Sequence, residues 1–94
     1  MKKYEAYFIL DVSLADDAKK AVIAKYKAML ENAKAENIEI VEEGNKKLAY
    51  PINFKNEGYY VLMTFDAEAN VPNELQHQMN LNEAVVRNLI VAKD

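Results

Sequence analysis

The chain has 94 residues, the length of one domain spanning 1–94, and its 51% apolar content supports a packed core and excludes a disordered polar chain. No cysteine is present, which excludes disulfide staples and thiolate metal sites. Fifteen acidic against 12 basic side chains leave a net charge of −3, with a single arginine, unlike the basic balance usual in a dedicated RNA binder.

The start, Met1-Lys2-Lys3-Tyr4-Glu5, has two cations but no long apolar stretch behind them, and no run anywhere reaches membrane-spanning length. The expectation is a soluble cytoplasmic protein with no membrane partner. The first strand is read as 3–11, with Tyr4, Ala6, Phe8 and Leu10 on one face and Glu5, Tyr7 and Ile9 on the other. Ser13 and Asp16, three apart, read as a variant helix-start box. A helix over about 15–34 follows, with Ala18, Val22, Tyr26, Met29 and Ala33 as its buried stripe and Leu30 beside it. No glycine ends it, so Asn37 is the residue expected to take a left-handed cap.

The second strand starts there. Ile38 and Ile40 alternate with Glu39, Gly44 interrupts as a bulge, and Leu48, Tyr50 and Ile52 resume the pattern. Pro51 cannot donate to a ladder, which places this strand at a sheet edge. Positions 53–58 read as a polar loop, and 59–66 as a third strand with Tyr59, Val61, Met63 and Phe65 on one face. Asn70 before Val71-Pro72 opens a second helix lined by Val71, Leu75 and Met79. The last strand runs from 83 or 84 to 92.

Strand, helix, strand, strand, helix, strand is the order of an α+β ferredoxin-like split fold. The expected sheet is four-stranded and antiparallel, in the order four-one-three-two, with both helices on one face. The other face stays open and carries Tyr7, Ile9, Tyr60 and Leu62, with Lys47 and Ala49 from the second strand. Arg87, Leu89 and Val91 share it, a register that turns Asn88 inward with Val86 and Ile90. The open face is thus more apolar than a solvated sheet face, which marks Tyr7, Ile9, Tyr60, Leu62 and Leu89 as candidate partner-binding residues.

The run Gly44-Asn45-Lys46-Lys47-Leu48-Ala49-Tyr50-Pro51-Ile52, with Gly58-Tyr59-Tyr60 six residues on, resembles bacterial small-subunit ribosomal protein six. That family carries a glycine, a short basic cluster, Leu-Ala-Tyr, an optional proline and isoleucine, then glycine with two aromatics. The likeness continues from Tyr4-Glu5 and Phe8-Ile9-Leu10 to Arg87 before Ile90-Val91. Glu43 stands where many relatives have tryptophan, and lysines replace arginines in the basic cluster. The resemblance implies a structural ribosomal protein that binds the central domain of small-subunit ribosomal RNA together with small-subunit ribosomal protein eighteen. It implies phosphate contacts by Lys2, Lys3, Lys46, Lys47 and Arg87.

The same element order belongs to RNA-recognition motifs, but Glu57-Gly58-Tyr59-Tyr60-Val61 lacks their basic and small residues, so base stacking on this strand is not expected. His77 has no histidine or cysteine companion for a metal, and no nucleophile–histidine pair or phosphate-cradling glycine loop occurs. No cofactor and no catalysis are expected. The alternative is a ferredoxin-like protein–protein interaction module, natural or engineered, without RNA function, a reading the acidic balance favours. Self-association through the exposed edge strand belongs to either reading.

Overall fold

The computed structural model describes residues 1–52 and 55–93. Its elements are β1 (Lys2–Leu10), α1 (Asp16–Asn32), β2 (Glu36–Ile52), β3 (Lys55–Ala67), α2 (Val71–Leu81) and β4 (Val85–Lys93). The four strands form one sheet in the order β2-β3-β1-β4, and every pair is antiparallel. This is the ferredoxin-like arrangement, with β2 at an edge.

One sheet face meets both helices. Tyr4, Ala6, Phe8 and Leu10 of β1 and Val61, Met63, Phe65 and Ala67 of β3 are buried against Ile23, Tyr26 and Leu30 of α1 and Val71, Leu75 and Met79 of α2. The period of two in the strands meets the period near 3.6 in the helices, and one core results. Phe8 stands edge-on to Tyr26, with centroids 5.6 Å apart. The Tyr26 hydroxyl accepts a 3.0 Å bond from Asn82 Nδ2 at the end of α2, which ties the two helices together. Burial pushes the Tyr26 phenol above its ordinary pKa, and the Asn82 bond works against the rise.

The buried stripe of α1 is rotated from the expected one. Lys19, Ile23, Tyr26 and Leu30 are buried, Val22 and Met29 lie at the margin, and Ala33 is exposed. Spacing of apolar residues alone passes over Lys19, because a lysine can bury its stem when its head finds a partner. The helix start also differs. Ala15 is the N-cap, while the Ser13 amide and hydroxyl both donate to Asp11 Oδ1.

The left-handed residue ending α1 is Lys34, with φ 63°. Its amide donates to the Glu31 carbonyl and the Ala35 amide to the Leu30 carbonyl, the paired bonds of a Schellman motif. Asn37 is also left-handed (φ 53°), but inside the start of β2, where its side-chain amide donates to Asp66 Oδ2 at 2.7 Å. A left-handed Cβ costs about 1–2 kcal/mol, part of which glycine returns as unfolded-state entropy. Lys34→Gly should therefore stabilise the protein by about 1 kcal/mol. Urea titration should show a raised midpoint at unchanged slope.

Two of the register irregularities bear directly on the candidate residues. In β2, Glu42 pairs with Val61 and Gly44 with Tyr60, so Glu43 is the extra residue of a bulge and Gly44 takes φ +85°. In β4, Arg87 pairs with Ile9 and Val85 with Leu10, so Val86 is passed over and Val85 packs toward the core in its place. Asn88 does turn toward the helices. Its amide is held by α2, with Gln76 Nε2 donating to Asn88 Oδ1 (3.3 Å) and Asn88 Nδ2 donating to Asn80 Oδ1 (2.8 Å). A polar group at a partly buried sheet position is thus satisfied by the helix above it.

β3 begins at Lys55, so of the expected polar loop positions 55–58 are strand, and 53 and 54 lie outside the described residues. β1 reaches only to Tyr59 along β3, whereas β2 pairs with β3 as far as Lys55. Beyond Tyr59 the β2–β3 hairpin therefore continues as a two-stranded arm.

Candidate functional site

Residues directly opposite each other on antiparallel neighbours point to the same face. The registers therefore lay out the open face as a grid, written from β2 to β4. One row is Gly44, Tyr60, Ile9 and Arg87; the next is Val41, Leu62, Tyr7 and Leu89; the next is Glu39, Thr64, Glu5 and Val91. Two adjacent rows are almost wholly apolar. No helix covers them, and Leu89 is 56% exposed, Val41 51%, and Tyr7 39%. Tyr7, Ile9, Tyr60, Arg87 and Leu89 line a shallow depression of about 300 Å³.

Four of the five partner candidates thus come together in one hollow. Leu62 is half-buried beside it, between Val41 and Tyr7, and does not line it. Val41 is the apolar residue of this surface that composition passes over, and the signal for it is the period of two that sets it on the face of Glu39, opposite Ile40.

The candidate cations divide into two groups. Lys46 pairs in register with Gly58, one row beyond Tyr60, and its Nζ lies 5.7 Å from the Tyr60 ring centroid and 3.5 Å from Glu43 Oε1. Arg87 ends the Tyr60 row at the opposite edge. Both are at the arm end of the open face. Lys47 pairs with Glu57, in the register of the covered face, contrary to the expectation that it shares the open one. The Glu43 bulge exchanges the two lysines: one extra residue reverses the alternation after it. Position 49, expected beside Lys47, falls where side chains are outside the description.

Lys3 lies on the open face opposite Asp66 and Lys93, and Lys2 follows Tyr4 on the other face. Ile9 is six positions after Lys3, about 20 Å along the strand. Lys2 and Lys3 therefore form a second cationic end, distant from Lys46 and Arg87. Glu5, between the two ends, meets Lys93 at 3.4 Å.

At the root of the arm, Tyr59 donates from its hydroxyl to Glu42 Oε1 at 2.8 Å. That bond, with smaller contributions from burial and from the charges of Glu42 and Asp16, holds the phenol above its ordinary pKa. Lys19 Nζ lies 4.8 Å over the ring. Among the described residues no His, Cys, Asp or Glu cluster could hold a metal ion, and His77 is exposed on α2. No described helix is long and apolar enough to cross a membrane. The arrangement offers surfaces for docking and phosphate contact.

The family model of ribosomal protein S6 matches residues 3–92. The chain is 42% identical over 91 residues to the small ribosomal subunit protein bS6 of Clostridium novyi, covering 97% of this chain and 96% of that one. It is 44% identical over 93 residues to the bS6 protein of Clostridium kluyveri, with the same coverage of each. In fold it is similar to the crystal structure of 30S ribosomal protein S6 from Thermotoga maritima. The TM-score there is 0.91 at 22% identity, over 98% of this chain and 87% of the other.

Proposed function

Because the chain belongs to the ribosomal protein S6 family, we propose that it serves the small ribosomal subunit by holding two neighbours at once, ribosomal RNA and a second protein. The family is structural, so the chain is not an enzyme, and its place is the ribosome in the cytoplasm. The RNA is the central domain of small-subunit ribosomal RNA, met by phosphate contacts from Lys46, Lys47 and Arg87 at one end and Lys2 and Lys3 at the other. The protein is small-subunit ribosomal protein eighteen, met by Tyr7, Ile9, Tyr60, Leu62 and Leu89.

The observation that carries the reading is the uncovered pair of apolar rows with Lys46 and Arg87 at their arm end. Apolar rows gain by burial against protein. Cations at their margin gain by meeting phosphate. A net charge of −3 limits what the chain achieves alone. A basic partner on the open face would supply the missing positive field, so the pair should bind RNA more tightly than either protein.

Each phosphate contact adds about 0.7–0.9 to the slope of log affinity against log salt. Removing both Lys46 and Lys47 as alanines should lower that slope by about 1.4–1.8. Affinity measured at several salt concentrations, with and without the partner, checks this. Equal slopes for variant and parent would take the lysine pair out of the RNA contact. The acidic balance favours a second reading, a protein–protein module without RNA function. Partner binding with no shift of central-domain RNA, alone or as the pair, would decide for it.

A further inference from the structure

The β2–β3 arm is joined to the sheet by one ladder only, yet its root is gripped from both sides by groups the reading above does not use. Tyr59 is the first residue of β3 to pair with β1, at the point where the arm joins the sheet. Glu42 is the last residue of β2 before the bulge. The Tyr59–Glu42 hydrogen bond joins these two points across the ladder. From α1, Lys19 places its ammonium over the Tyr59 ring. The lysine is 7% exposed, so most of its side chain lies packed between α1 and the sheet. Among the described residues it also pairs with Asp16 at 3.8 Å, a carboxylate that is 95% exposed, so that pair contributes little beside the ring. A phenol that donates to a carboxylate gains electron density, which strengthens its attraction for a cation over its face.

We infer that Lys19 is a positioning residue: through Tyr59 and Glu42 it fixes the direction in which the β2–β3 arm leaves the sheet, and so where Lys46 and Lys47 point. The geometry is economical. Lys19 is on the helix packed over the sheet, Tyr59 anchors one strand of the arm, and Glu42 anchors the other. Lys19 lies on the covered side, so it acts on RNA only through the arm. That consequence rests on the proposed RNA contact; the clamp itself does not.

The test uses the full chain with Lys19→Met, which keeps an unbranched stem and removes the charge, and Lys19→Arg, which restores a cation. Native-state hydrogen exchange is followed at the amides of Lys46 and Gly58 in the arm and of Ala6 and Phe8 in the core. Lys19→Met should speed exchange in the arm by about tenfold while the core amides keep their rates. Lys19→Arg should return the arm to within about twofold of the parent. Equal acceleration of arm and core would make Lys19 an ordinary stability residue and overturn the inference, as would an arm that exchanges at the parent rate. In the same variants, Lys19→Met should weaken RNA binding at unchanged salt slope, because no phosphate contact is removed. A loosened arm with unaltered RNA affinity would keep the clamp and remove the arm from the RNA contact. An unaltered arm would remove the clamp whatever the RNA does.

Discussion

Replacing Phe8 by alanine is expected to lower the unfolding free energy by about 3–5 kcal/mol. The ring is 1% exposed at the centre of the sheet and meets Tyr26 edge to face. Its removal loses the transfer energy of the ring and leaves a cavity that two strands and a helix cannot close together. It also loosens Tyr26, whose hydroxyl joins α1 to the end of α2 through Asn82. A 94-residue domain without disulfides has about 5–15 kcal/mol in total, so the variant should lie near the limit of folding. Denaturant titration followed by circular dichroism measures the loss. A change below about 1 kcal/mol would show that the ring does not contribute as a core group.

Leu89→Glu is expected to weaken binding to the proposed partner, small-subunit protein eighteen, by at least about 100-fold while leaving the fold intact. The leucine is 56% exposed and lines the open-face depression beside Tyr7, so the free protein loses little when it is replaced. In a complex the carboxylate would be enclosed between apolar surfaces, and burying an unpaired charge is far costlier than losing a methyl contact. Leu62→Glu acts in the same direction, but its half-buried place between Val41 and Tyr7 mixes a folding cost with the binding one. Circular dichroism checks the fold and calorimetric titration the affinity. Unchanged affinity in a folded Leu89 variant would exclude the open face and leave the β2 edge as the protein contact.

The sheet was legible because its signals are local. Tyr4-Ala6-Phe8-Leu10 and Tyr59-Val61-Met63-Phe65 alternate without interruption, and Pro51 marks the edge. What escaped depends on partners distant in sequence. Lys19 belongs to the buried stripe because a ring forty residues later receives its charge. Asn88 faces inward as its register predicts, but the groups that satisfy it there, Gln76 and Asn80 of α2, cannot be read from the strand itself. Lys34 adopts a glycine-like conformation because the Schellman bonds hold it there. On the open face, four of the five apolar candidates were brought together by alternation alone. The assignment of Lys46 and Lys47 to faces was not, because it turns on where one bulge places its extra residue.

That bulge has a consequence for how the chain can vary in length. Glu43 is the residue without an opposite number, and the pairs on either side of it are Glu42 with Val61 and Gly44 with Tyr60. Deleting Glu43 would leave both pairs as they are, with Lys46 still opposite Gly58. Deleting a residue inside the regular ladder would instead turn every following side chain over. Position 43 is therefore a joint of β2 at which one residue can be lost without exchanging the inner and outer surfaces of the strand beyond it. Relatives differing in length there should be aligned by ladder partners rather than by residue count.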